Sequence, residues 1–106
     1  MAKYLITASY TADGMKGVIN KGGTARRDAI SKMVAELGGS LESFYFAFGD
    51  EDAYVIVDLP ENVSAAAVGM AVGASGMAST KTVVLLTPAE IDRAAQNQAA
   101  YPAPGT

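Results

Sequence analysis

The alternation of apolar and polar residues predicts four β-strands. Residues 3–10 are short, partly alternating and followed by a turn sequence, and residues 40–48 form a run that is rich in aromatic side chains. The polar turn Gly49-Asp50-Glu51-Asp52 connects that run to residues 53–59, so the two runs are expected to form a β-hairpin. Residues 78–86 predict the fourth strand.

Helical spacing of apolar residues appears between the first two strands. Residues 13–21 predict a short helix with Asp13 as its N-cap, and Gly22-Gly23 interrupts the chain after it. A stronger helix follows, with Thr24 as the expected cap and Gly38-Gly39 at its C-terminal end. Its apolar stripe consists of Ala29, Ile30, Met33, Val34 and Leu37.

The second half of the chain predicts two more helices. Pro60 ends the third strand, and a helix rich in alanine and glycine begins near Glu61. Its small side chains allow a sheet or another helix to approach closely. The last helix has a strong start signal, because Thr87 and Glu90 form a capping box around Pro88 at the first helical position.

This order of elements, β-α-β-β-α-β with an additional C-terminal helix, is typical of the ferredoxin-like α+β fold. That fold has a four-stranded antiparallel sheet with both main helices on the same face. We expect one domain over residues 1–95 and a C-terminal tail over residues 96–106.

Both faces of the predicted sheet are apolar, which is unusual for an antiparallel sheet with one uncovered face. In the second strand, alternation opposes Phe44, Phe46 and Phe48 to Leu41, Tyr45 and Ala47. In the third and fourth strands it opposes Val55, Val57, Leu59, Val84 and Leu86 to Tyr54, Ile56, Asp58, Val83 and Leu85. The helices of one chain cover only one face, so we predict a sheet-to-sheet homodimer that closes into a barrel-like pair. The alternative is a monomer whose C-terminal helix folds under its own sheet.

Composition restricts the chemistry. The 106 residues include no cysteine and no histidine, which excludes disulfides, thiolate chemistry and imidazole as a base or metal ligand. No run approaches the ~18 apolar residues that span a bilayer. We therefore expect a soluble cytoplasmic protein with no membrane partner, no metal and no cofactor.

The charge is distributed unevenly along the chain. Residues 1–33 are rich in lysine and arginine, whereas residues 34–92 are mainly acidic, and the net charge is -3. One interpretation is two solvated faces of different sign. The other is a basic patch near residues 16–32 that attracts an anionic ligand or an acidic partner. Eight basic residues in an acidic chain do not suit nucleic-acid binding.

Several residues are candidates for binding or catalysis. Arg26 and Arg27 begin a helix, where they either bind an anion or form salt bridges with Asp28 or another subunit's acidic turn. Asp58 lies in an apolar strand and is either a desolvated base or a structural carboxylate that accepts backbone hydrogen bonds near Pro60 or pairs with Lys81. The tyrosines either line a ligand pocket between sheets or pack in a core or interface; they are Tyr10, Tyr45 and Tyr54.

The three acids Asp50, Glu51 and Asp52 are interpreted as a solvated hairpin tip rather than a cation site. Consecutive acidic side chains point in different directions, and no loop of ligand-binding length surrounds them.

The chain resembles the GYD-domain family over about residues 3–95. The resemblance is carried by the runs Tyr4-Leu5-Ile6-Thr7-Ala8-Ser9-Tyr10-Thr11, Gly22-Gly23-Thr24-Ala25-Arg26-Arg27, Leu37-Gly38-Gly39, Phe44-Tyr45-Phe46-Ala47-Phe48-Gly49, Val55-Ile56-Val57-Asp58-Leu59-Pro60 and Leu85-Leu86-Thr87-Pro88. Glu51 stands where the family's Gly-Tyr-Asp signature has tyrosine. The resemblance implies the dimeric α/β barrel fold of small bacterial proteins whose activity is not established.

Three functional hypotheses follow. The first is a homodimer or higher oligomer that binds a small hydrophobic or anionic molecule at the sheet interface. The second, which the resemblance to dimeric α/β barrel proteins allows, is a cofactor-free enzyme of monooxygenase, isomerase or dehydratase type. Asp58, a tyrosine and an arginine would carry proton transfer and charge stabilisation in such an enzyme. The third is a structural subunit of a larger assembly.

Overall fold

The computed structural model describes residues 1–105 and contains, within that range, four strands and four helices. The strands are β1 (Ala2–Tyr10), β2 (Ser40–Phe46), β3 (Ala53–Leu59) and β4 (Ala78–Leu85). The helices are α1 (Ala12–Lys21), α2 (Gly23–Glu36), α3 (Asn62–Ala74) and α4 (Pro88–Gln96). Every strand and helix that the sequence predicts is present, which confirms the expected order.

The strands form one antiparallel sheet in the order β2-β3-β1-β4. The two central strands, β1 and β3, pair from Ala2 opposite Leu59 to Ala8 opposite Ala53. The fold is therefore α+β with the ferredoxin-like arrangement, as predicted. The division into a domain over residues 1–95 and a tail over residues 96–106 stays a prediction.

One face of the sheet carries the hydrophobic core. Tyr4, Val57 and Leu59 point from the central strands into this core, and Val34 of α2 and Val68 of α3 pack against them. We call this side the covered face, and the opposite side the open face. The covered face is fixed further by a hydrogen bond that the Tyr4 hydroxyl, itself buried, donates to Asn62 Oδ1 at the start of α3 (2.6 Å).

The alternation predicted for β2 is wrong at two residues. A β-bulge between Leu41 and Ser43 inserts an extra residue, so Leu41 and Phe44 both pack against the core instead of facing opposite ways. Phe48 does not belong to β2, which ends at Phe46, and its side chain is fully exposed in the turn.

Two predicted helix caps are also wrong. Thr11, not Asp13, caps α1, because the Thr11 hydroxyl accepts a hydrogen bond from the Gly14 amide (3.1 Å), and Asp13 lies in the first turn. Gly22 caps α2 with a φ of 91°, a backbone conformation that glycine adopts readily, and Thr24 lies inside the helix.

Helix α4 starts as predicted, with Thr87 and Glu90 forming the capping box around Pro88. It contains no buried residue, so it does not cover the open face of its own sheet. The molecule measures 57 × 33 × 23 Å, and its radius of gyration is 16.9 Å. A compact chain of this length has about 13 Å. Among residues 1–105 no helix is long and apolar enough to cross a membrane.

Candidate functional site

A crevice of about 340 Å³ separates α1 from α2 on the covered side of the sheet. Its position depends on how α1 leaves β1: the Thr11 amide donates a hydrogen bond to the Met77 carbonyl (2.9 Å), which fixes the start of α1 beside β4. Gly14 then passes so close to this carbonyl that a Cβ atom would overlap it. The opposite wall is the first half of α2, including Arg26 and Ala29.

A second and smaller cavity lies deeper, between the helices and the covered face. It measures about 40 Å³ and its walls are mostly apolar, including Ile30, Met33 and Val55. Tyr10 and Arg26 line both this cavity and the crevice, so they lie at the boundary between the apolar interior and the opening between α1 and α2.

Arg26 is the residue whose hydrogen bonding is incomplete. Its Nε atom is buried and has no hydrogen-bond partner among the described residues. A buried donor without an acceptor costs about 1–3 kcal/mol, and more when the group is charged. A guanidinium group offers a planar fork of donors that matches a carboxylate or phosphate. The Nε of Arg26 is therefore a buried donor that has no acceptor among residues 1–105.

The charges around the crevice favour an anion. Lys21 and Arg26 line it together with a single acid, Asp13. Arg27, the adjacent residue, does not line it, because its side chain is exposed and forms an ion pair with Asp28 (3.1 Å). The salt bridge with Asp28 that the sequence suggested is therefore confirmed for Arg27, and only Arg26 of the predicted pair reaches the cavity.

Tyr10 is held beside Arg26 by contacts on both its backbone and its ring. Its amide donates a hydrogen bond to Asp52 Oδ2 (2.8 Å), and its ring lies 6.5 Å from the ring of Phe46, measured between centroids. Phe46 in turn packs against Phe44, with centroids 5.1 Å apart. Gly23, at the start of α2, provides the space for Phe46, since a Cβ atom there would crowd the ring.

The other predicted site residues lie on the open face. Tyr45 and Tyr54 are cross-strand neighbours, 71% and 40% exposed. Asp58 is four residues further along β3, about 13 Å from Tyr54 at the usual strand rise. Within one chain the structure therefore brings Tyr10 to Arg26 and Tyr45 to Tyr54, and it leaves Asp58 apart from both pairs.

Asp58 forms an ion pair with Lys3 (3.0 Å), whose Nζ also lies 2.8 Å from Glu42. The predicted partner, Lys81, is wrong: it forms its ion pair with Glu51. The hydrogen bond to Glu42, and after it the one to Asp58, raises the pKa of Lys3 above its ordinary value. Asp58 has the environment of a structural carboxylate in this chain.

The acidic turn is a solvated tip only in part: Asp50 is exposed, as predicted, but Glu51 and Asp52 make contacts with β1. Glu51, whose side chain is 13% exposed, accepts a hydrogen bond from the Ser9 hydroxyl (2.6 Å) and pairs with Lys81 (3.0 Å). The hydrogen bond from Ser9 is the main reason that the pKa of Glu51 lies below its ordinary value, with Lys81 second. Sequence reasoning missed this contact because it depends on strand order, which places the turn beside the end of β1. No group of three or more acidic residues among residues 1–105 is arranged to hold a metal ion.

The fold and the crevice together define a class: a ferredoxin-like α+β domain with a basic crevice on the covered side and an apolar open face. The family model of the GYD domain matches residues 4–95, and the chain belongs to this family. No curated protein and no solved structure matches the chain.

Proposed function

We propose that the crevice between α1 and α2 binds a small carboxylate with an apolar body. The observation that carries the proposal is the buried Nε of Arg26, which has no acceptor among the described residues. A ligand carboxylate in the crevice would meet the Arg26 guanidinium and, if that side chain shifted to expose its Nε, would supply the acceptor; Lys21, which also lines the crevice, would add a second positive charge.

The dimensions restrict the ligand. A volume of about 340 Å³ is near the lower end of the range of about 300–1,000 Å³ that is usual for small-molecule sites. The apolar part of the ligand would contact Tyr10, Val18 and Met77, which line the crevice. The inner cavity of about 40 Å³ is large enough for little more than a methyl group. These limits favour a compact aromatic or branched aliphatic acid.

Thermal-shift and calorimetric titrations with such acids test the proposal, with the corresponding primary amides as matched ligands. We expect the acids to raise the Tm of the unmodified protein and the amides to have a much smaller effect, because the amide lacks the charge that a guanidinium binds. Arg26→Gln should abolish the difference between acid and amide. Arg27→Gln removes the same charge from the neighbouring residue, and this variant should still be stabilised more by the acids than by the amides.

Equal stabilisation of the Arg26→Gln and Arg27→Gln proteins by the acids would overturn the proposal, and so would equal binding of acids and amides. Circular dichroism of both variants establishes that the comparison is between folded proteins.

A second candidate function is self-association through the open face, and the exposure of that face favours it. Tyr45, Tyr54 and Val83 are 40–71% exposed there. α4 does not cover them. A second copy, placed sheet to sheet, would remove this apolar surface from water.

Val83→Asp places a charge on this apolar surface, on the edge strand β4, and should weaken the dimer by tenfold or more, measured by sedimentation at several concentrations. The control is Ile19→Asp, an equivalent change at an exposed residue of α1 (77%). A protein that is monomeric at all micromolar concentrations would contradict the sheet-to-sheet dimer.

The enzyme hypothesis and the assembly-subunit hypothesis stay predictions. Tyr10 and Arg26 could serve a proton-transfer reaction in the crevice, but Asp58 lies on the opposite face of the sheet and would not take part within the same chain. Turnover of a bound acid, followed by mass spectrometry, separates an enzyme from a binding protein.

A further inference from the structure

Helix α3 has a composition that does not match its exposure. Its sequence from Asn62 to Ala74 contains no charged residue, and only Ala65 and Val68 are buried. Val63 and Met70 are 70% and 75% exposed. A helix that is apolar on all sides is normally buried on all sides, so the outer face of α3 has the character of an interface.

An uncharged groove continues this surface toward the edge of the sheet. It lies between α3 and β4 and has a volume of about 490 Å³. Ala66, Gly69 and Met70 form one wall, and Thr82 and Val84 form the other. The residues on the α3 wall are mostly small, so a helix that entered the groove could approach α3 closely. β4 is an edge strand, which leaves this side of the groove without a neighbouring strand.

Helix α4 is a regular helix that does not pack on any hydrophobic core. It has nine residues and a complete capping box, yet none of its residues is buried. Isolated helices shorter than about 12–15 residues are marginal in water. Ile91, Ala94 and Ala95 are spaced as i, i+3 and i+4 and form an apolar stripe, in which Ile91 is 51% exposed. A helix with this pattern requires a surface to pack on.

We propose that the apolar stripe of α4 docks in the α3–β4 groove of a second copy of the chain. The stripe and the groove are both uncharged, and each lacks a partner within its own chain. Pairing α3 with α3 between copies would leave α4 without a buried side, whereas exchange of α4 covers both surfaces. Reciprocal exchange also gives a closed two-fold arrangement, in which each copy donates one α4 and accepts one.

The connection between β4 and α4 favours exchange over docking within one chain. Only Leu86 and Thr87 separate the two elements, and Thr87 has an extended backbone that the capping box holds in place. The chain's own groove is lined by Val84, immediately before the end of β4. With Thr87 in this conformation α4 lies away from its own groove, since none of its residues is buried, and a second copy's groove is the one that we propose it enters.

Cysteine cross-linking tests the proposal directly, because the native chain contains no cysteine. Ala66→Cys and Ala95→Cys are made in separate chains, one labelled with ¹⁵N, and the mixed proteins are treated with a short bismaleimide. We expect a cross-link between the groove of the Ala66→Cys chain and α4 of the Ala95→Cys chain. Its mixed isotope pattern identifies it as a link between different chains. Lys16→Cys on α1, paired with Ala95→Cys, is the control for random collision. Circular dichroism confirms that each variant is folded.

Three results would overturn the proposal: a groove-to-α4 yield no higher than the control, a predominant link between two Ala66→Cys chains, or an intramolecular link when one chain carries both changes. In the cross-linking pair, adding Ile91→Asp should lower the yield at least tenfold. Adding Asp92→Asn on the same helix should leave it unchanged. Neither outcome depends on a ligand at Arg26, so the inference stands or fails separately from the proposed carboxylate site.

Discussion

The two faces of the sheet are built from the same strands and similar residues, yet they differ in burial. On the covered face Tyr4, Val57 and Leu59 are at most 1% exposed, whereas on the open face Tyr45 and Val83 are 71% and 51% exposed. The difference arises from the helices, since α2 and α3 pack on one face and α4 packs on neither. Apolar character alone therefore does not bury a strand residue; it is buried where a helix packs on it.

The faces also differ in how their charges are satisfied. On the open face Lys3 pairs with Asp58 and Glu42, and Lys81 pairs with Glu51. On the covered side the Nε of Arg26 is buried without an acceptor. The charges of the open face are therefore paired, whereas the Nε of Arg26 lacks an acceptor among residues 1–105, which is the observation behind the proposed carboxylate site.

The largest expected effect is the difference in stability loss between a substitution on the covered face and one on the open face. Leu59→Ala should lower the free energy of unfolding by about 2–5 kcal/mol, because it leaves a cavity in the packed covered face. Val83→Ala on the open face should change it by no more than about 0.5 kcal/mol in dilute monomer. Urea denaturation at low protein concentration measures both, and similar losses for the two variants would contradict the assignment of one covered and one open face.

Smaller effects on stability, opposite in sign to each other, are expected from replacing two glycines of α1 that line the crevice. Gly14→Ala should destabilise the protein by about 1–3 kcal/mol, because the new Cβ would meet the Met77 carbonyl and displace α1. Gly17→Ala meets no atom within 4 Å and should stabilise the protein by about 0.5–1 kcal/mol through helix propensity. Thermal unfolding of both variants gives the two signs, and a harmless Gly14→Ala would refute the close approach of α1 to β4.

The smallest effect concerns pH and the acidic turn beside the open face. The pKa of folded Glu51 lies below the ordinary value near 4.5, chiefly through the hydrogen bond from Ser9. Its stabilisation is therefore complete above that value and is lost as the pH falls through the lower, folded-state pKa. Ser9→Ala and Glu51→Gln should each make stability less dependent on pH in the acid range, measured by urea denaturation from neutral to acidic pH.

Asp92→Asn on α4 removes one negative charge, as Glu51→Gln does, and serves as the control for net charge. If it flattened the acid dependence as much as Glu51→Gln, the contact between Glu51 and Ser9 would not be the cause.

The sequence predicts local structure well because local signals determine it. The capping box at Thr87 and Glu90, the glycine at Gly38 and the alternation in β3 each depend on neighbouring residues, and the structure confirms them. The bulge after Leu41 was not predictable from alternation, since one inserted residue moves a side chain to the other face. The bulge therefore places Leu41 on the covered face together with Phe44.

The candidate site was predictable only in part. Arg26 and Tyr10 were recognised by their chemistry, but their proximity depends on α1 and α2 crossing the end of β1, which no spacing in the sequence indicates. The ion pairs of Asp58 and Glu51 depend on strand order and register in the same way. The exposure of α4 contradicts the alternative of a C-terminal helix folded under its own sheet.

The most direct test of the account is an NMR titration of the arginine Nε–H groups with a compact aromatic acid. The chain has three arginines, Arg26, Arg27 and Arg93, so their signals can be assigned with single substitutions. We predict a saturable downfield shift of the Arg26 Nε–H signal, with much smaller changes at Arg27 and Arg93. An Arg26 signal that stays unchanged at saturating acid, or that moves no more than that of Arg27, would contradict the proposed function.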